Sequence, residues 1–374
     1  LTLSAEELKE AYDAHKTFNG CAREAAAFLN LNIRTYGERL KKAKEKFLYN
    51  MPDDHNLKGV SNYEKLNPET GEWEATRRWC KSDKDKENAQ EIASVILKGI
   101  LDKIKPVVPT PAPKHTVSDL LAEYNLTDFH LGALAHAEES GDDWNIDIAE
   151  DLVRKWLLSA MDSVPNAHTA VLNNMGDYQH FSSMIAETPA HKHPLDAAAR
   201  PYLIVRAAIR IMRMLIDELL KKHEHVHVKI CDANHDPYGQ LFLRESLRPL
   251  YESEPRVSID DSPTAYYCYE WGDVSLFYHH GNKKNLKQIS EVFVGTFRKI
   301  YGRTKFSYGR IGHFHHGAST EDCLMKTEIM PTLAPKDNHA AESGYLSKRE
   351  AVTVVFHKKY GEVKRITTSP EMVL

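Results

Sequence analysis

Five short polar motifs in one order constrain this chain more than anything else in it. They are Thr127-Asp128-Phe129-His130-Leu131-Gly132, Gly176-Asp177, Asn234-His235-Asp236, His279-His280-Gly281 and Gly312-His313-Phe314-His315. Four of them follow an apolar or alternating run: Leu120 to Leu126, Ala170 to Met175, Val226 to Cys231 and Trp271 to Tyr278. Each run reads as a strand that delivers polar residues at its C-terminal end, which in open α/β sheets is where ligands bind. Strand side chains repeat every second residue, so Asp128 and His130 are expected to point the same way and share one cation. Gly312 is expected to let the backbone turn tightly, so that His313 and His315 face one centre. Singly, each motif is common, and a chain with 20 His will carry some by chance. All five together point to a pair of metal ions.

The order D-x-H, G-D, N-H-D, H-G and G-H-x-H resembles that of the calcineurin-like metallophosphoesterases, over Val117 to about Val355. Thr-Asp-Phe-His-Leu-Gly with Gly-Asp-Tyr-Gln-His is most similar to the Mre11 and SbcD nuclease branch. The resemblance implies an αββα sandwich, two sheets packed together and flanked by helices. It implies that Asp128, His130 and His315 hold one metal, that Asn234, His280 and His313 hold the other, and that Asp177 bridges them. His235 would be the catalytic imidazole beside the phosphate, with Asp236 behind it, keeping the ring oriented and protonated. Asp232-Ala233 stands before Asn234 where the family has a Gly. Either His279 or His280 could be the ligand, and His280 is chosen because the family's ligand directly precedes a Gly.

Composition bounds the rest. A chain of 374 residues, 42% hydrophobic and 27% charged, is long enough for two or three domains and ordinary for globular protein. Five Cys stand far apart with no C-x-x-C pair, against a zinc ribbon or a disulfide framework. No apolar run is long enough to span a bilayer and the first residues read as a charged helix, so a soluble, cytoplasmic protein is expected. A net charge of −4 confines any contact with nucleic acid to a local patch.

Residues 1–48 read as a helix-turn-helix module. Ser4-Ala5-Glu6-Glu7 has the capping-box form before a first helix to about His15, Ala22 to Leu29 makes a second, and Ile33 to Phe47 a third. Ala25-Ala26-x-x-Leu29-x-Leu31-x-x-x-Thr35-Tyr36-x-x-x-Leu40-Lys41-Lys42 resembles the Fis and NtrC type of DNA-binding segment. Asn32, Arg34 and Thr35 stand at the end that would enter a major groove, and Arg39, Lys41 and Lys42 suit phosphate contact. The alternative is a helical bundle for docking or for homo-oligomer formation. Residues 49–104 read as a small module, a β-hairpin about Asn67-Pro68-Glu69-Thr70-Gly71 followed by a helix from Glu87 to Ile104. Residues 105–116, with Pro106, Pro109, Pro111 and Pro113, read as an extended linker.

Residues 117–374 then alternate strands with helices, Ile146 to Met161 and Leu195 to Lys222 among them, which means an α/β sheet with helices on its faces. After His315 only a turn region and two strands are expected, Ala351 to His357 and Val363 to Thr368. That leaves no segment for the capping domain of the nuclease branch and speaks against a Rad50-like ATPase partner. The expected function is a DNA-directed phosphodiesterase in which two cations roughly 3.5–4 Å apart activate water. The alternatives are a phosphatase or small phosphodiesterase that the N-terminal module only targets, and a DNA-binding regulator with a relict core. His, carboxylate and Asn ligands without Cys suit Mn²⁺ best, with Fe²⁺, Ni²⁺ or Zn²⁺ as alternatives.

Overall fold

The computed structural model describes residues 5–47, 55–66, 73–84, 106–189, 192–336 and 348–374. Two compact units divide the chain, Leu1–Ile100 and Leu101–Leu374.

The first unit contains helices α1 (Ala5–Thr17), α2 (Ala22–Phe28) and α3 (Ile33–Phe47), then an antiparallel pair, β1 (His55–Leu66) and β2 (Trp73–Lys84). Asn19 and Gly20 close α1 and Asn30 closes α2, all with positive φ, the region that Asn and Gly enter most easily. Small Ala11, Ala25 and Ala26 let the helices approach around buried Tyr36 and Leu40. The helix expected over Glu87 to Ile104 lies outside the described residues.

The second unit runs β3 (Val117–Leu126), α4 (Ala137–Ser140), α5 (Ile146–Ser163), β4 (Ala167–Asn174), α6 (Pro201–Lys222), β5 (His225–Ile230), α7 (Pro237–Leu250) and β6 (Val257–Ile259). There follow β7 (Tyr267–Trp271), β8 (Val274–His279), α8 (Ile289–Thr296), α9 (Arg298–Tyr301), β9 (Phe306–Ile311), β10 (Ala318–Glu321), β11 (Lys326–Ile329), β12 (Ala351–His357) and β13 (Gly361–Thr368). One sheet has the order β13-β12-β3-β4-β5-β6, with β3 to β6 parallel, and the other the order β10-β11-β9-β8-β7.

Strand alternation divides the first sheet's side chains between two layers. Ala122, Tyr124, Leu126, Leu172, Val226 and Val228 pack with the stripes of α5, α6 and α7. Leu121, Val171 and Cys231 face the other way and meet Tyr267, Val274, Leu276 and Tyr278 of the second sheet. The far face of the second sheet is covered by α8, through Ile289 and Phe293 against Phe277 and Ile311. Two packed sheets flanked by helices are therefore present.

Three sequence expectations are corrected. The run Trp271 to Tyr278 is not one strand: β7 and β8 form a hairpin that turns at Gly272-Asp273, with Gly272 at φ +58. The helix expected from Leu195 begins at Pro201, a residue pre-set for a first helical turn, and Leu195 and Ala198 are tied instead to Ala186 and Gly132. Between His315 and Ala351 stand two further strands, β10 and β11, of four residues each. The Pro-rich stretch is anchored to the second unit: Val107 N donates to Leu250 O, Thr110 N to Glu254 Oε2 and Arg256 Nη1 to Thr110 O, each at 2.7 Å.

Candidate metal centre

The candidate ligands stand just beyond the strand ends, and their direction comes from backbone strain. Asp128, His130, Asp177, His313 and His315 all have φ between +46° and +72°. Left-handed backbone at a residue other than Gly costs about 1–3 kcal/mol and persists where surrounding bonds over-determine it. Here Asp128 N donates to Gly176 O, His130 N to Asp177 O and Leu131 N to Tyr178 O, while Thr332 Oγ1 holds Asp128 O at 2.7 Å. The two-residue strand period is thus not what turns Asp128 and His130 the same way, because β3 has ended at Leu126. Nor does Gly312 adopt a left-handed turn. A Cβ there would lie 2.0 Å from Thr127 Oγ1 and 2.7 Å from Asp128 Oδ2, so Gly312 is needed for close approach. Gly176, at φ +100, does serve both ends: a Cβ would fall 2.7 Å from His280 Nδ1.

Two groups of ligand atoms result, Asp128, His130 and His315 in one and Asp177, His280 and His313 in the other, with atoms within 4.8 Å of one another in each group. In the first, His130 Nε2 is 3.1 Å from His315 Nε2, and Asp128 Oδ1 is 3.4 Å from the same nitrogen. In the second, His280 Nε2 is 3.1 Å from Asp177 Oδ2 and 2.8 Å from Asn234 Oδ1. Asp177 Oδ1 accepts from the Asn234 and His235 amides, which leaves Oδ2 to face the centre. His279 turns away: its Nδ1 accepts from Gly281 N and its ring stacks on Tyr266.

The donor set fits cations. His280 Nδ1 lies 2.9 Å from the Met175 carbonyl, which can only accept, so in the neutral ring the Nε2 lone pair faces the oxygens of Asp177 and Asn234. Acceptors meeting in this way are reconciled by a metal or by a proton. Without a metal, burial would lower the His280 pKa, but the Asp177 carboxylate raises it to about 9. Burial raises Asp177 and Asp128, yet His280 draws the first and His315 the second below the usual carboxylate range. His130 is pushed well below its ordinary value by burial and by His235 and His315, which keeps its lone pair available. Asp128 Oδ1 is buried and makes no hydrogen bond, its near neighbour being His315 Nε2 at 3.4 Å, and a cation between the two would satisfy both.

His235 lies beside these groups. Its ring meets His130 edge-on at 4.8 Å between centroids, and its Nδ1 is 3.2 Å from the His180 carbonyl. That carbonyl, not Asp236, orients the imidazole. Asp236 is fully buried and accepts from Gln179 N at 2.8 Å and from Gln240 Nε2 at 3.0 and 3.1 Å. Burial and the charge of Asp177 push the Asp236 carboxyl well above its ordinary value. His180 is a neighbour that the motifs left without a role: its Nδ1 is 3.2 Å from His130 Nδ1, and it groups with His130 and His235. The signal for it was the His that closes Gly-Asp-Tyr-Gln-His.

The residues singled out in the N-terminal unit have local tasks. Asn32 caps α3, its Oδ1 accepting from Thr35 N at 2.8 Å. Arg34 pairs with Glu38 at 3.4 Å on the exposed surface. Arg39 does not stand open to a phosphate: it ties α3 to α1 through Glu7 at 2.9 Å and is only 22% exposed. Lys41 and Lys42 are exposed and Thr35 is half-buried.

No family model matches the chain, and no curated protein does. Among solved structures it is similar to a predicted phosphoesterase from Streptococcus pneumoniae TIGR4, at 8% identity and a TM-score of 0.27 over 68% of this chain and 100% of that one. It is also similar to an archaeal phosphodiesterase, at 12% and 0.32 over 67% and 99%. A third is a zinc complex of Vps29 from Entamoeba histolytica, at 10% and 0.27 over 67% and 99%. Likenesses so faint carry no argument, and the chemistry rests on the site itself.

Proposed function

We propose that the chain is a metal-dependent phosphodiesterase of the calcineurin-like kind acting on DNA. One observation carries the proposal: Asp128, His130 and His315 converge beside Asp177, Asn234, His280 and His313, with a buried carboxylate oxygen that makes no hydrogen bond and lone pairs facing one another. Asp128, His130 and His315 would hold one divalent cation and Asn234, His280 and His313 the other, with Asp177 as the residue shared between them. Bound there, such cations supply Lewis acidity at the phosphate oxygens and lower the pKa of the attacking water. His235 would act on the leaving side. With Nδ1 turned to the His180 carbonyl, Nε2 is the nitrogen left to give a proton to the departing oxygen. Nitrogen and oxygen ligands without sulfur favour Mn²⁺, ahead of Fe²⁺, Ni²⁺ or Zn²⁺.

DNA is favoured as substrate by the exposed cations Arg34, Lys41 and Lys42 on α3. A second reading, a smaller phosphoester with the N-terminal helices used for docking or self-association, draws on Arg39 and Asn32, which local structure already engages. Incubating the metal-loaded chain with linear, circular and single-stranded DNA, beside bis-p-nitrophenyl phosphate and p-nitrophenyl phosphate, separates them. Cleavage of DNA in preference to the monoester is expected. Equal turnover of monoesters with indifference to DNA would favour the second reading, and no turnover of any ester would overturn both.

A further inference from the structure

Both proposed metal groups, Asp128 with His130 and His315 and Asp177 with His280 and His313, draw on both sheets. Asp128 and His130 follow β3 and Asp177 follows β4, whereas His280 follows β8 and His313 and His315 follow β9. A slip of one sheet over the other would disturb both groups at once. Apolar packing between sheets is non-directional; at the site itself His280 Nδ1 to the Met175 carbonyl and His313 N to Asp128 Oδ2 tie the sheets with direction, and a second directional tie lies deeper.

The layer between the sheets contains such an element. Arg310 on β9 is fully buried, as is Glu123 on β3, and Arg310 Nε lies 3.2 Å from Glu123 Oε2. The same guanidinium donates from Nη1 to Glu328 Oε2 on β11 at 2.6 Å, and Arg365 Nη2 on β13 donates to that oxygen at 2.9 Å. On its other side, Glu123 Oε2 accepts from Asn125 Nδ2 at 3.2 Å, and Asn125 Oδ1 accepts from Asn173 Nδ2 on β4 at 2.8 Å. A buried chain of bonds thus joins β9, β3 and β4, the strands that lead into Gly312-His313, Asp128 and Asp177. Counted along the strands, Arg310 and Glu123 stand three and five residues before His313 and Asp128, about 10–17 Å beneath the site.

We infer that the Arg310–Glu123 pair is a positioning device: it sets the alignment of the two sheets and through it the affinity and spacing of the two metal sites. It touches neither metal nor substrate. The inference rests on the metal centre proposed above. Burying this much charge is a poor way to gain stability, since a buried ion pair can often be replaced by uncharged groups without loss. What an apolar substitute cannot reproduce is the forked, directional grip of a guanidinium on two carboxylates from different sheets.

The test uses the full chain carrying Glu123→Gln and Arg310→Met together, which removes one charge of each sign and leaves Glu328 paired with Arg365 and Lys326. Thermal unfolding without metal, Mn²⁺ titration by calorimetry and the spin-coupled spectrum of the manganese pair are measured beside wild type. The expected result is an unfolding midpoint no lower than wild type, with Mn²⁺ affinity down by up to about 10-fold, at or below the loss seen for groups bonded directly to metal ligands, and weakened coupling. Unchanged affinity and coupling in the folded variant would overturn the inference. Should the double variant not fold, Arg310→Lys keeps the charge but loses the fork, and the same split between stability and metal affinity is required of it. Wild type taking up no Mn²⁺ would defeat the proposed metal centre itself, a different failure.

Discussion

The two units treat their chemically expressive residues in opposite ways. In the second unit Asp128, His130 and Asp177 are buried, hold left-handed backbone and face groups of their own kind. In the first unit Asn32 caps a helix, Arg34 pairs one turn along with Glu38, and Arg39 bridges two helices, each obeying the rules of local structure. Residues that break local rules at a cost need an outside reason, and a cation is one; residues that obey them are accounted for already. The contrast favours chemistry in the second unit more strongly than DNA contact in the first.

The largest expected effect would come from Asp177→Asn. It removes the charge opposite His280 while keeping an acceptor for the Asn234 and His235 amides, so the loss of metal and of hydrolysis should exceed the roughly 10–100-fold that an outer partner costs. Hydrolysis at the wild-type rate in that variant would remove Asp177 from the site. Next comes His235→Gln, which should keep both metals yet slow cleavage of a DNA ester by about 10²-fold, as loss of a general acid does. A p-nitrophenyl leaving group departs without a proton and should lose far less. Equal losses on the two esters would mean that His235 stabilises charge on the phosphate, and lost metal that it is a ligand.

A smaller effect separates the centre from ordinary buried histidine. In the metal-free chain His280 is raised to about 9 from its ordinary 6.5, so the stability it adds is complete below 6.5 and lost as pH rises through 9. The same proton competes with the metal. Between those limits Mn²⁺ affinity should rise by about tenfold per pH unit, one proton being displaced. A flat pH dependence in calorimetry would show that His280 is not the group displaced.

The smallest effects belong to the first unit and could break the contrast. Lys41→Ala with Lys42→Ala should lower the salt slope of DNA binding by about two, if those lysines meet phosphates. Arg39→Ala should leave that slope alone and cost about 1 kcal/mol of helix stability, the upper end for a surface pair, because its stem is largely covered. The reverse pattern would place Arg39 on DNA and weaken the division drawn here.

Much of this architecture was legible in the order of residues because ligand chemistry and strand ends leave marks on short stretches. Asp128, His130, His313 and His315 could be singled out from motifs alone, with His280 separated from His279 only by the family resemblance. Their orientation could not, since it depends on bonds such as His130 N to Asp177 O that join segments far apart in the chain. For the same reason the family resemblance sets Asp236 behind His235, whereas its carboxyl group turns to Gln179 and Gln240. The strands β10 and β11 are too short to show a period of two. The hairpin at Gly272-Asp273 did carry a turn signal, overridden by the apolar residues on both sides of it. Arg310 and Glu123 were invisible as a pair because they are 187 residues apart and each, alone, reads as a surface charge.

The central claim, that the seven ligands hold two cations, is tested most directly by counting metal. Chain stripped with chelator, reloaded with Mn²⁺ and passed through a desalting column should contain two Mn per chain by elemental analysis, and Asp177→Asn fewer. Wild-type chain emerging with no bound metal would contradict it, and hydrolysis of a phosphodiester at full rate in the presence of chelator would do so equally.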